Sequence, residues 1–283
     1  MSAREMQTFI HFFPLIIGDM VPENNEVWLF LLNFVEITDL ILLPEFDDKD
    51  IIKLEKCIAY HNTKYVQLFN DCLKPKHHFL THYCNIIKQS GPLKYLWTYN
   101  FESKHRELKS YTKNINSRIN TPLSIGIKFC LNFTEFITNF NIINLKNYKP
   151  LSKGYSITSC QYYQEIKHLF SNELLLNNSL YFDKISFCGT KYKTDNLITT
   201  YDNNIPHIFV IKQIICVNNT TVYLFCRHLE IISFRKHFAS YKINTSANNA
   251  NYILKNINEF NSPPIHVYTL PSNETVVRLK NYF

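Results

Sequence analysis

The sequence predicts an α+β protein, with an N-terminal helical bundle followed by a small antiparallel β-sheet or barrel domain. Two observations carry this. Up to about residue 140, apolar residues recur three and four apart between Pro, Gly, Asp and Asn breaks. From Tyr181 the period changes to two, in short β-branched and aromatic runs separated by Asn- and Asp-rich turns. The resulting organisation is a helical domain over 1–140, a linker with one helix over 141–182, and a small β domain over 183–283.

Ser2-Ala3-Arg4-Glu5 reads as a capping box, with Ser2 as N-cap and Glu5 reaching back. The helix it opens runs to about Ile17, bent or interrupted near Pro14. After a turn at Gly18-Asp19 and Pro22, residues 25–42 form a strongly apolar helix with Val27, Trp28, Leu31, Leu32 and Val35 in phase. Pro44 ends it. Asp47 or Asp48 caps a third helix to about Asn70, and Pro75 at the first helical position opens a fourth. Gly91-Pro92 stops that one. A fifth spans residues 97–113, and Thr121-Pro122 starts a sixth to about Phe140. Residues 159–176 read as one more helix beyond the linker. The strands expected are 185–187, 191–193, 197–199, 209–217, 221–227, 231–234 and 240–243, with two more near 266–270 and 275–279.

Charge is unevenly spread over the 283 residues, whose net charge is +7. Residues 1–73 carry 5 Lys/Arg against 12 Asp/Glu, whereas 74–128 carry 10 against 2. Such a basic excess attracts phosphate backbones by counterion release, or else pairs with the acidic segment inside the fold. The eight cysteines include no C-x-x-C and read as reduced, mostly buried residues of an intracellular protein. No apolar run reaches the roughly 18–20 residues of a membrane-spanning helix, so no membrane association is expected. Phosphate-binding glycine loops and the G-x-S-x-G hydrolase elbow are also missing, which leaves nucleotide-binding and serine-hydrolase classes unsupported.

The chemistry-bearing side chains concentrate between residues 73 and 113. His78 and His82 stand i,i+4, a spacing suited to zinc, and His105 is the nearest further imidazole along the chain. Packing between helices and contact with phosphate are the competing readings of these histidines. Glu102, His105, Arg106 and Lys109 share one helical face, the ordinary pattern of a surface ion-pair row. Lys74, Lys76, Lys104, Arg106, Lys109 and Lys113, interleaved with Tyr99, Phe101 and Tyr111, make a candidate nucleic-acid-binding surface. A second basic cluster, Arg227, His228, Arg235, Lys236 and His237, lies in the β segment.

The run Lys74-Pro75-Lys76-His77-His78-Phe79-Leu80-Thr81-His82-Tyr83, the turn Gly91-Pro92-Leu93 and the helix segment Trp97-Thr98-Tyr99-Asn100-Phe101-Glu102-Ser103-Lys104-His105-Arg106 follow one another in this order. Together they resemble the C-terminal region of proteins encoded by CACTA (En/Spm-like) DNA transposons. The likeness extends over residues 1–135 and, more loosely, 183–245. It implies a transposase-derived, DNA-binding chain acting in the nucleus, the C-terminal part of a longer ancestor. Transposases with an RNase H-like core hold two Mg²⁺ or Mn²⁺ ions on three carboxylates, and the resemblance makes Glu102 a candidate for the third.

The strands that would carry the first two acids have no counterpart upstream, where the sequence reads as helices. The chain by itself is therefore expected to be non-catalytic and to need no cofactor, with Mg²⁺ or Mn²⁺ relevant only within a complete transposase. Partners expected are DNA and a protein partner or second copy. Two further readings stay open: a protein-interaction module with no nucleic-acid role, and an accessory nuclease subunit supplying Glu102 to a partner.

Overall fold

The computed structural model describes residues 3–113, 119–143, 148–170, 179–202, 205–218, 221–245, 251–260 and 263–279. Seven helices precede or flank antiparallel sheets, giving the expected α+β architecture. Helix α1 (Ala3–Ile17) continues through Pro14, although a proline inside a helix removes one ladder hydrogen bond. Ser2, expected to cap it, lies outside the described residues.

Helices α2 (Glu26–Ile41), α3 (Asp48–Phe69) and α4 (Pro75–Ser90) follow their local signals closely. Asn25 caps α2 by accepting from the Trp28 N–H at 2.9 Å. Asp47 and Asp50 satisfy each other's backbone N–H at 2.7 and 3.2 Å, a reciprocal cap worth about 1 kcal/mol. Asn70 ends α3 at φ 48°, and Gly91 ends α4 at φ 80°. Ile37, Leu40, Ile51, Leu54, Ile58, Cys84 and Ile87 bury a common core between these three helices. Helix α5 (Tyr99–Lys113) packs on α6 (Thr121–Ile143) as a hairpin.

The segment between 141 and 182 holds α7 (Tyr163–Leu169) together with strands β1 (Tyr148–Pro150), β2 (Tyr155–Ser156) and β3 (Leu180–Phe182). The expected extension of α7 beyond Phe170 falls outside the described residues. Nine further strands follow: β4 (Lys184–Phe187), β5 (Thr190–Lys193), β6 (Leu197–Asp202), β7 (Ile205–Val217), β8 (Thr221–Arg235), β9 (Ser240–Asn244), β10 (Tyr252–Asn256), β11 (Val267–Thr269) and β12 (Thr275–Val277). They form a three-stranded sheet, β1-β4-β5, and a nine-stranded one running β11-β12-β9-β8-β7-β3-β2, with β10 beside β8 and β6 beside β7.

The barrel alternative is not realised, because the sheets do not close on themselves. Strands β7 and β8 are the reason. Each is long and bulged, at Ile211/Gln213 and at Ile231/Ser233. A bulge bends the strand and raises its twist, so each half meets a different neighbour. The start of β8 pairs with β10 and its end with β9; the start of β7 pairs with β6 and its end with β3. What reads in sequence as two strands, 221–227 and 231–234, is therefore one bent strand.

The helices meet the sheet through polar contacts. The Trp28 indole N–H donates to His237 Nδ1 at 3.0 Å, and His237 Nε2 donates to the Gly18 carbonyl at 2.8 Å. An indole can only donate, so the imidazole is the neutral tautomer with its hydrogen on Nε2. A Cβ on Gly18 would sit 2.7 Å from the Phe238 ring, which explains the glycine. Close by, Arg278 is 6% exposed, and its guanidinium donates to Asp39 Oδ2 at 2.5 Å, to the His11 carbonyl at 3.3 Å and to the Ala239 carbonyl. His11 Nδ1 lies 3.3 Å from Asp39 Oδ1. No helix among the described residues is long and apolar enough to cross a membrane. All eight cysteines are free; four are buried, while Cys72, Cys130 and Cys188 are exposed.

Candidate nucleic-acid interface

The α4 side of the site starts at its N-terminus, where the Lys74 N–H donates to His77 Nδ1 at 3.0 Å. His77 is thereby a capping residue, and its ring packs on Tyr65 with centroids 4.4 Å apart. The Lys74 ammonium lies 3.5 Å from Asp71, and its pKa is raised first by the Tyr65 hydroxyl and then by Asp71. Lys76 is exposed, with no ion-pair partner among the described residues. His78 and His82 are exposed, with Nε2 atoms 3.1 Å apart. That pair is two ligands, short of the three or four that hold zinc tightly. Among the described residues no three His, Cys, Asp or Glu side chains gather in a metal-holding group, so His105 does not join them.

On α5 the cations divide into two kinds. Lys104 is neutralised: it pairs with Glu107 at 2.7 Å and lies over the Phe129 ring of α6, 4.6 Å from its centroid. Glu107 also accepts from the Tyr111 hydroxyl at 2.6 Å, and the Asn132 amide donates to that same hydroxyl at 2.7 Å. The Lys104 bond, followed by the Tyr111 bond, holds the Glu107 carboxyl below its usual range. This network ties α5 to α6. Arg106, Lys109 and Lys113 are different. They are exposed, have no ion pair among the described residues, and fall on one side of the helix three and seven positions apart. Neighbours on such a row are separated by roughly 5–10 Å and repel by about 0.5 kcal/mol per pair in water.

The acids of the first helices are spent elsewhere. Glu36 pairs with Lys53 at 2.7 Å, Glu26 with Lys64 at 3.7 Å, and Asp39 with Arg278. No described ion pair carries this acidic charge to Arg106, Lys109 or Lys113. Glu102 is exposed and has no ion pair among the described residues. The residues around it do not form an oxygen-ligand set for Mg²⁺ or Mn²⁺, because no second and third acid gathers there.

The second basic cluster is dispersed by the fold. Arg235 pairs with Glu274 at 3.3 Å, Arg227 donates to the Thr245 carbonyl at 3.2 Å, and His237 belongs to the helix–sheet contact. His228 lies 3.5 Å from His207, with its pKa lowered by burial and then by that neighbour. Arg118 lies outside the described residues. Sequence reasoning passed over the aromatic and amide partners on α6, Phe129 and Asn132. The i,i+3 spacing of Lys104 and Glu107 was the one local signal for their network. No family model matches the chain, and no curated protein matches it.

Proposed function

We propose that this chain binds DNA in the nucleus through the exposed cations of α5, as the C-terminal portion of a transposon-derived protein that is not catalytic alone. The observation that supports binding is the Arg106–Lys109–Lys113 row, exposed and unneutralised while the other charged groups around it are paired. A row of like charges kept at an energetic cost favours an anionic partner, and regularly spaced phosphates suit it. Lys76 adds an unpaired cation on α4. The transposon origin rests on the resemblance of residues 73–106 alone. Lack of catalysis follows from the isolation of Glu102 from other carboxylates.

The test is the salt dependence of binding to a random-sequence DNA duplex by full-length protein. Replacing Arg106, Lys109 and Lys113 with Ala should weaken binding to all sequences alike. It should also reduce the slope of log K against log salt by about 0.9 per lost contact, so about 2.7 for three. Melting temperature is measured on the same variant. An unchanged slope, with or without a shifted melting point, refutes the interface.

A further inference from the structure

The geometry points to α6 as a self-association surface, on which a second copy of this chain packs antiparallel about a two-fold axis passing between Leu131 and Asn132. Helix α6 is apolar on nearly all sides, a pattern that belongs to a covered helix. Its α5-facing side is covered through Phe129 and Asn132. The opposite side is not: Leu123, Ile127, Leu131, Phe133 and Ile137 are each between 51% and 64% exposed. At on the order of 100 Å² apiece, with Cys130, Thr134 and Thr138 between them, the face approaches the roughly 800 Å² per partner of a stable interface.

Charge placement selects the occupant and its direction. Lys128 and Glu135 are the helix's two charges, and neither has an ion pair among the described residues. Seven residues apart, they share one flank about 10.5 Å along the axis. A two-fold axis perpendicular to the helix keeps flank facing flank and reverses direction. Lys128 of each protomer then meets Glu135 of its partner, twice. Parallel pairing would set Lys128 against Lys128 and Glu135 against Glu135. The same axis brings Gly126 opposite Ile137. Gly126 lies inside the helix, where glycine costs about 1 kcal/mol relative to alanine, and no atom lies within 4 Å of where its Cβ would be. That space receives the Ile137 side chain of the second copy.

The experiment is sedimentation equilibrium on the full chain, with helical content followed by circular dichroism. The wild-type chain should dimerise at micromolar concentrations. Lys128→Glu or Glu135→Lys alone replaces two attractive pairs with two repulsive ones, and should raise the dimer Kd roughly tenfold or more. The double variant Lys128→Glu/Glu135→Lys restores both pairs and should return the Kd to near the wild-type value. A wild-type chain that stays monomeric overturns the inference, and so does a double variant as weak as the singles.

Discussion

Replacing Arg278 tests whether the N-terminal helices and the C-terminal strands hold together as one cooperative body. Its guanidinium joins three distant parts of the chain: His11 on α1, Asp39 on α2, and Ala239 just before β9. Arg278→Ala leaves the Asp39 carboxylate, 18% exposed, without its cation, and two carbonyls without a donor. Breaking a buried ion pair on one side costs about 3–5 kcal/mol, because the remaining charge is uncompensated. With an unfolding entropy of about 2.1 cal/mol/K per residue, a chain of this length gives about 0.6 kcal/mol/K, so the melting point should fall by about 5–8 °C. Removing both partners in Asp39→Ala/Arg278→Ala should cost less than the sum of the two single changes, since neither charge is then stranded. Calorimetry on the three variants reads both effects. A melting point within a degree of wild type for Arg278→Ala, or strict additivity in the cycle, refutes the reasoning.

The remaining predictions concern His61 and Gly18. His61 is 5% exposed and stacked on Phe30, and burial, then His77, lowers its pKa to about 4. The unfolded ring titrates near 6.5 and so takes up a proton that the fold refuses. Stability is therefore complete above about pH 6.5 and falls as pH drops toward 4, by about 3 kcal/mol in all. His61→Phe should flatten that part of a urea-denaturation pH profile, and an identical profile would disprove the assignment. Gly18→Ala places a methyl 2.7 Å from the buried Phe238 ring and should cost about 1–3 kcal/mol in urea denaturation. Unchanged stability there would mean that Phe238 moves aside freely.

What could be read from sequence was local. Asn25, Asp47, Pro75 and Gly91 act within one helical turn of themselves, and the helix boundaries they imply fall within a residue or two of those observed. The α+β class followed from the change of period, which needs no knowledge of partners. The strands missed were β1, β2, β3 and β10, all of five residues or fewer. Such runs show too few alternations to separate from loop, and their pairing with distant strands supplies the order that the local pattern lacks. The site divides the same way. Helical phase placed Arg106, Lys109 and Lys113 together, but it carried no information on whether acids from the first helices would cover them. Likewise His237 read as one of a basic cluster, whereas a tryptophan 209 residues away makes it a neutral link between layers.

Helix α6 shows where this limit has functional content. An amphipathic helix names its own partner, since its apolar stripe faces the core that its neighbours build. Helix α6 has no such single stripe, so its pattern states a demand for cover on two sides. Helix α5 meets the demand on one side only, and it does so with polar links, Tyr111 to Asn132 and Lys104 over Phe129. Those links orient α6 without burying its outer face. They also withdraw Lys104 from the cationic row, leaving Arg106, Lys109 and Lys113 as its outward charge. One small network therefore sets both the apolar face that a second copy can cover and the basic row that phosphates can neutralise. A two-fold pair of hairpins would carry two such rows related by the same axis, which is the arrangement that symmetric DNA sites require of a dimer.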